Sequence, residues 1–262
     1  MIKVLINGCN GKMGQEVAKA IERNDNFQTV CGVDRLDTGD NKFPVYTDTS
    51  KISEEPDVIV DFSIPVATFN ILKYAQTKKI PVVIATTGFT DEDLEKIKEY
   101  SKEFPIFLSS NMSFEVSLMN HIVAEVAKYL KNSDIEIVET HHNRKVDAPS
   151  GTALTLANTI NDALGNEMFY EYNRHDKREK RNPKEIGIHS IRGGNVVGKH
   201  TVMFFSETES FEITHNAQSR GVFADGAIRA AEYLVVQGNG LYNMNNIFQI
   251  KTSFLLNILF TN

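Results

Sequence analysis

Short apolar runs alternate with longer amphipathic stretches over the first 110 residues. The runs Lys3–Ile6, Thr29–Val33, Val58–Phe62, Pro81–Ala85 and Ile106–Leu108 predict strands. Between the first two, Met13, Val17, Ala20 and Ile21 recur at the spacing of one helix face. Ala67, Ile71, Leu72 and Ala75 give a second such stripe. Leu94, Ile97 and Tyr100 give a third, preceded by Thr90 and Asp93 in the pattern of a capping box. This alternation predicts a parallel sheet with helices on its faces. Residues 34–57 carry Gly39, Pro44 and Pro56 and predict a loop with room for one short strand.

The pattern changes near residue 112. A long helix is expected over Ser113–Leu130, then a strand over Asp134–Glu139 and a dense polar run to Thr152. Leu154, Ala157, Ile160 and Leu164 predict another helix. Residues 171–185, with Lys177-Arg178-Glu179-Lys180-Arg181, predict an exposed loop. Strands over Ile186–Ile191, His200–Phe205 and Ser210–Thr214 follow, then a helix over Phe223–Val236. Strands gathered in this way are α+β grammar. The apolar tail 247–261 is too short to span a bilayer comfortably and predicts a docked helix, strand or interface segment.

Length and composition narrow the class. The 262 residues amount to about 1.7 domains at roughly 150 residues each. Hydrophobic residues at 41% and charged residues at 24% exclude disorder as the main theme. No run of about 20 apolar residues predicts a spanning helix, and no membrane partner is expected. The net charge of −6 argues against a nucleic-acid partner. Cys9 and Cys31 are too few to staple a secreted fold, and the opening Met1–Gly8 reads as a strand entering a turn rather than a signal peptide. A cytoplasmic protein is expected.

Gly8-Cys9-Asn10-Gly11-Lys12-Met13-Gly14 joins the first strand to the first helix as G-x-x-G-x-x-G. Glycines let the backbone turn and let a pyrophosphate approach the helix N-terminus, so the loop points to a dinucleotide; an ordinary βα turn is the plainer reading. Asp34 and Arg35 end the second strand. An acidic residue there suits the ribose hydroxyls of NAD, and an arginine suits the 2′-phosphate of NADP. With both present, NADH and NADPH are both expected to bind. Thr86 and Thr87, and the Ser109-Ser110-Asn111-Met112 segment, lie at strand ends where ligands of open parallel sheets bind.

Glu139 to Thr152 concentrates reactive groups. His141 and His142 have no third His and no Cys at metal-like spacing nearby, so no metal is expected. A histidine is instead suited to proton transfer near neutrality. Lys145 supplies a cation for a carboxylate or a second proton donor. Ser150-Gly151-Thr152 opens a helix and offers a second anion site, so a small dicarboxylate substrate is expected.

The run His141–Ala153, with Glu139 two residues ahead, resembles the signature E-x-H-H-x-x-K-x-D-A-P-S-G-T-A of the dihydrodipicolinate reductase (4-hydroxy-tetrahydrodipicolinate reductase) family. Similar pieces occur in order: Gly8–Gly14, Thr86–Phe89, Ser110–Ser113, Ile191–Asn195, Val197–Thr201, Thr214-His215 and Ser219-Arg220. The resemblance covers about residues 1–246. It implies an α/β fold: a Rossmann-type parallel sheet domain at 1–112 plus 216–262, with an inserted α+β substrate-binding and oligomerisation domain at 113–215. It further implies hydride transfer from a nicotinamide to a cyclic unsaturated dicarboxylate imine, with loss of water, in lysine and diaminopimelate biosynthesis.

By the same resemblance, His141 is the general acid/base and Lys145 a proton donor that also holds the substrate. His142 contacts the substrate, and Gly151 and Thr152 bind a carboxylate. Gly8, Cys9, Asn10, Gly11, Lys12, Met13, Asp34, Arg35, Ala85, Thr86, Thr87, Ser109, Ser110, Asn111 and Met112 line the cofactor. A homotetramer is implied. The chain departs from the family pattern at Lys12 (usually Arg), at Ala85 (usually Gly), at Phe114-Glu115-Val116-Ser117 (commonly x-Gly-Val-Asn) and in its tail. The competing readings are another two-domain NAD(P)-dependent dehydrogenase, which lacks this acid–base set, and a non-catalytic NADP-binding regulator, which has no use for the His-His-x-x-Lys run.

Overall fold

The computed structural model describes residues 1–248. It forms two compact units: Met1–Phe114 together with the described stretch from Gly221, and Glu115–Arg220. All of the expected apolar tail except Ile247 and Phe248 lies outside the described residues.

The first unit opens with β1 (Ile2–Asn7), α1 (Lys12–Glu22), β2 (Phe27–Val33), β3 (Val45–Tyr46), β4 (Val58–Asp61), α2 (Pro65–Lys78), β5 (Val82–Ile84), α3 (Asp91–Ser101) and β6 (Pro105–Leu108). The strands are apolar at successive positions because both faces of the sheet are covered. Val4, Ile6, Val60 and Val83 join one core cluster, and Leu5, Ile59, Val82 and Ile84 join the other. The side-chain period of two distributes them so. The capping box of α3 is present, with the Asp93 N–H donating to Thr90 Oγ1 at 3.2 Å and the Thr90 N–H donating to Asp93 Oδ2 at 3.1 Å.

The second unit follows α4 (Phe114–Tyr129) with β7 (Asp134–His141), α5 (Gly151–Ala163), β8 (Phe169–Glu171), β9 (Glu185–Arg192), β10 (Gly198–Phe205) and β11 (Ser210–Ala217). These strands form a mixed sheet in the order β11-β10-β7-β9-β8. Ile135, Ile137, Ile186, Ile188, Val202 and Phe204 pack on Met119, Val123 and Ala127 of α4 and on Leu156, Ala157 and Ile160 of α5.

The chain then returns to the first unit as α6 (Gly221–Leu234), β12 (Gly240–Tyr242) and α7 (Met244–Ile247). The completed sheet has seven strands in the order β12-β6-β5-β4-β1-β2-β3, and every pairing in it is parallel.

Several features differ from the sequence expectation. β8 and β12 are edge strands of three residues each, too short to show a periodicity. Helix α6 begins at Gly221, two residues before the expected Phe223. The 171–185 segment is also more than an exposed loop. Within it, Arg181 is mostly buried and donates to the carbonyls of Ile135 at 2.8 Å and Glu185 at 2.6 Å. It also pairs with Asp134 and Glu136. A planar guanidinium can satisfy several acceptors at strand ends at once.

Candidate active site

In the first unit, β1 runs into Gly8, whose φ is +82°. A Cβ there would lie 2.7 Å from the Phe62 carbonyl oxygen, and one at Gly14 would lie 2.2 Å from the Gly8 carbonyl oxygen. Loop and helix therefore approach more closely than any larger residue allows. Gly11 caps α1 without a side-chain hydrogen bond, so the first N–H groups of the helix have no internal acceptor and suit an anion. The Cys9 side chain is fully buried and Met13 is half-buried against the core, so these two residues offer the cleft mainly backbone. Lys12 is exposed on the first turn.

Asp34 follows β2 and is tied back to this loop. Its Oδ2 accepts from the Asn10 N–H at 2.9 Å, and its Oδ1 accepts from the Arg35 N–H at 2.7 Å. A cleft of about 1120 Å³ opens over the C-terminal edge of β1, β2 and β4. Gly8, Asn10, Gly11, Asp34, Arg35 and Ser63 line it, and it extends along α2 to Lys73 and Tyr74. This cradle fits a dinucleotide: small residues under the phosphates, an uncapped helix N-terminus, and Asp34 and Arg35 at the strand end.

Thr86 lies two residues past the end of β5 and turns its hydroxyl inward. It is buried, its hydroxyl donates to Asp61 Oδ2 at 3.0 Å, and its own Oγ1 accepts from the Ser63 N–H at 2.9 Å. Asp61 is fully buried and also accepts from Asn7 Nδ2 at 2.8 Å, Ser63 Oγ at 2.5 Å and Thr68 Oγ1 at 2.6 Å. Burial pushes its carboxyl above the usual range despite these donors. The network joins the ends of β1, β4 and β5 to α2. Thr87 and Ser110 are exposed, Ser109 and Asn111 are half-buried, and Ser109 Oγ donates to the Asn111 carbonyl at 2.7 Å. Met112 is buried, and Ala85 packs its methyl into the core. Asp61 and Ser63 carry no sequence motif; the one signal is an acidic residue closing the apolar run Val58–Val60.

In the second unit, Ile135, Ile137, Glu139 and His141 share one face of β7, which turns from core to chemistry along its length. His141 Nδ1 lies 2.6 Å from Glu139 Oε2. Glu139 is fully buried, and its Oε1 accepts from the Ser150 N–H at 3.1 Å. Burial alone would raise this carboxyl, yet donation from Arg192, Ser190 and His141 holds it down at about 2. An ionised carboxylate only accepts, so His141 Nδ1 carries the proton and Nε2 is the end left for other chemistry. A Cβ on Gly198 would lie 3.1 Å from that Nε2.

His200 stacks edge-on against His141 with ring centroids 5.1 Å apart, and its Nε2 lies 3.0 Å from Ser150 Oγ. Burial, with the neighbouring His141, lowers its pKa to about 4, so it is neutral at pH 7. His142 is held below its ordinary value by desolvation and by Arg144, His141, Arg220 and Lys145. Lys145 Nζ pairs with Asp147 Oδ1 at 2.8 Å. Ser150 caps α5 by accepting from the Ala153 N–H at 3.2 Å, so Gly151 and Thr152 form the first turn of α5. Space is open where a Gly151 side chain would be. The structure thus brings His141, His142 and Lys145 together in a positively charged setting, with Glu139 and Arg192 behind them. Sequence reasoning assigned no role to either of the last two. Among the described residues, no group of three or more His, Cys, Asp or Glu side chains is placed to hold a metal ion.

Comparison with known proteins follows the same division. Residues 2–112 match the family model described as dihydrodipicolinate reductase, N-terminus, and residues 115–248 match the one described as dihydrodipicolinate reductase, C-terminus. A 4-hydroxy-tetrahydrodipicolinate reductase of Caldanaerobacter subterraneus subsp. tengcongensis is 51% identical over 94% of this chain and 98% of its own length. One from Clostridium novyi is 43% identical over 96% of this chain and 100% of its own. The solved structure of a dipicolinate-bound dihydrodipicolinate reductase from Paenisporosarcina sp. TG-14 superposes with a TM-score of 0.79. It is 28% identical and covers 95% of this chain and 100% of its own.

Proposed function

The chain belongs to the dihydrodipicolinate reductase family, and from that premise we propose that it reduces 4-hydroxy-tetrahydrodipicolinate to tetrahydrodipicolinate with NAD(P)H, in lysine and diaminopimelate biosynthesis. The observation that carries this reading is the His141–Glu139 pair beside Lys145 and the α5 N-terminus, within a chain that both family models match.

The chemistry divides between the units. The first unit holds the dinucleotide: the Gly8–Gly14 loop and α1 take the phosphates, Asp34 and Arg35 take the adenosine ribose, and Thr87 with Ser109–Met112 edges the nicotinamide. When bound, the reduced nicotinamide supplies the hydride. The second unit holds the dicarboxylate. Lys145, His142 and the backbone and hydroxyl of Gly151 and Thr152 take carboxylate groups, which the surrounding cations favour. Glu139 holds His141 with Nδ1 protonated, so Nε2 is the atom that exchanges a proton with the substrate. Lys145 pairs with Asp147, so a substrate carboxylate competes with an internal one. No metal takes part in this scheme. A cytoplasmic homotetramer is part of the same reading, and light scattering of the purified chain tests the assembly.

The decisive assay supplies 4-hydroxy-tetrahydrodipicolinate, generated in situ by its synthase, and follows NAD(P)H absorbance. Oxidation of the cofactor is expected with NADH and with NADPH, and it is unaffected by a chelator; no oxidation with either overturns the reading. Arg35→Ala is expected to raise KM for NADPH and leave that for NADH little changed. An unchanged ratio of the two removes Arg35 from the cofactor assignment.

A further inference from the structure

We propose that Arg192 is the positioning residue that couples the orientation of His141 to that of Lys145. The proposal rests on the assignment of those two residues above, and it adds a residue and a linkage that the assignment does not contain.

Arg192 ends β9 and stands opposite His141 in the parallel register with β7. Its Nη1 donates to Glu139 Oε2 at 2.8 Å and its Nη2 donates to Glu139 Oε1 at 2.7 Å, a two-toothed grip on the carboxylate that holds His141 Nδ1. The same Nη2 donates to the backbone carbonyl of Asp147 at 2.6 Å, and the carboxylate of Asp147 pairs with Lys145 Nζ at 2.8 Å. One guanidinium therefore closes two arms. One runs through Glu139 to the imidazole, and the other runs through the Asp147 backbone to the ammonium.

Glu139 is wholly buried, and a buried carboxylate without its cation takes up a proton or moves. A protonated Glu139 is a donor as well as an acceptor, so it no longer dictates which ring nitrogen of His141 carries hydrogen. Lysine cannot replace Arg192, because an ammonium is a point charge without the planar fork that spans both Glu139 oxygens and the Asp147 carbonyl.

The test uses the full chain with NADPH and substrate. Arg192→Ala is expected to lower kcat about 10²-fold, the scale of a lost acid–base step, while KM for NADPH changes by less than about threefold, since ground-state cofactor binding is untouched. Guanidinium chloride at concentrations too low to denature is expected to restore activity about tenfold, because it returns the charge-assisted fork; sodium chloride at equal strength restores none. Arg192→Lys stays impaired. Residues acting as one unit are not additive, so Arg192→Ala combined with Glu139→Gln is expected to lose no more than the worse single variant.

A readout without substrate accompanies these. Proton NMR of the wild type is expected to show a deshielded imidazole N–H proton for the His141–Glu139 hydrogen bond, and that signal is expected to vanish in Arg192→Ala and in Glu139→Gln. Should Arg192→Ala fail to fold by circular dichroism, Glu139→Gln and Arg192→Lys carry the same comparison. Near-wild-type kcat in Arg192→Lys, an NMR signal that survives in the variants, or fully additive losses would each overturn the proposal. Absence of turnover in the wild type would instead count against the reductase reading, which leaves the NMR comparison standing.

Discussion

Asp61 and Glu139 are both buried carboxylates, yet their surroundings push them in opposite directions. Asp61 meets neutral donors only, so desolvation wins and its pKa rises. Glu139 meets a guanidinium, and the charge outweighs burial to hold it at about 2. The difference from its ordinary 4.5 corresponds to on the order of 3 kcal/mol of stability. Because the folded pKa is depressed, that stability is fully present above pH 4.5 and is lost as pH falls toward 2. His200, depressed from 6.5 to about 4, adds a loss that begins as pH falls below 6.5. Thermal unfolding followed against pH is therefore expected to show the midpoint falling from pH 6.5 downward, with the slope flattened below that pH in His200→Gln. At the same scale, His141→Gln and Lys145→Ala are each expected to lower kcat by about 10²-fold or more. Steady-state kinetics check both, and near-wild-type turnover in either removes that residue from its role.

Among the elements, periodicity carried most of the information. The capping box of α3 was legible because Thr90 and Asp93 are three apart ahead of an apolar stripe, and both reciprocal hydrogen bonds are present. Thr90→Ala is expected to cost about 1 kcal/mol of stability, read as a lower denaturant midpoint with an unchanged slope. The strand at 134 was legible too, though it extends two residues past the expected Glu139 to His141. That extension matters, because alternation along β7 places Glu139 on the same face as His141. The pairing was thus readable in principle from spacing alone. Arg192 was not, since it reaches Glu139 through the lateral register of β7 and β9, 53 residues apart in sequence. Asp61 was hidden for the same reason: its donors come from β1, β5 and α2 as well as from its own strand end. The short edge strands β3, β8 and β12 have too few residues for any period to register.

At the scale of the whole molecule, the first unit is discontinuous. Helix α6 returns after the second unit, and Ala224, Ala227, Ile228, Ala231 and Leu234 complete the core cluster that also holds Val4, Val60 and Val83. A fragment of residues 1–114 lacks that cover and the edge strand β12. It is expected to bind a hydrophobic dye and to unfold without a cooperative transition, whereas the full chain unfolds cooperatively. A dye-free fragment with a sharp unfolding transition would show that the sheet does not depend on α6. No helix among the described residues is long and apolar enough to cross a membrane.

What the sequence determined by itself is local: strands and helices long enough to display their period, the glycine loop, and the polar run with His141 and Lys145. These follow from interactions within a few residues of one another, where spacing and geometry are equivalent. Which cation holds the carboxylate behind the imidazole, and which buried aspartate ties the strand ends together, were decided by the tertiary structure alone. Those contacts form between neighbouring strands, and lateral distance in a sheet is independent of distance along the chain.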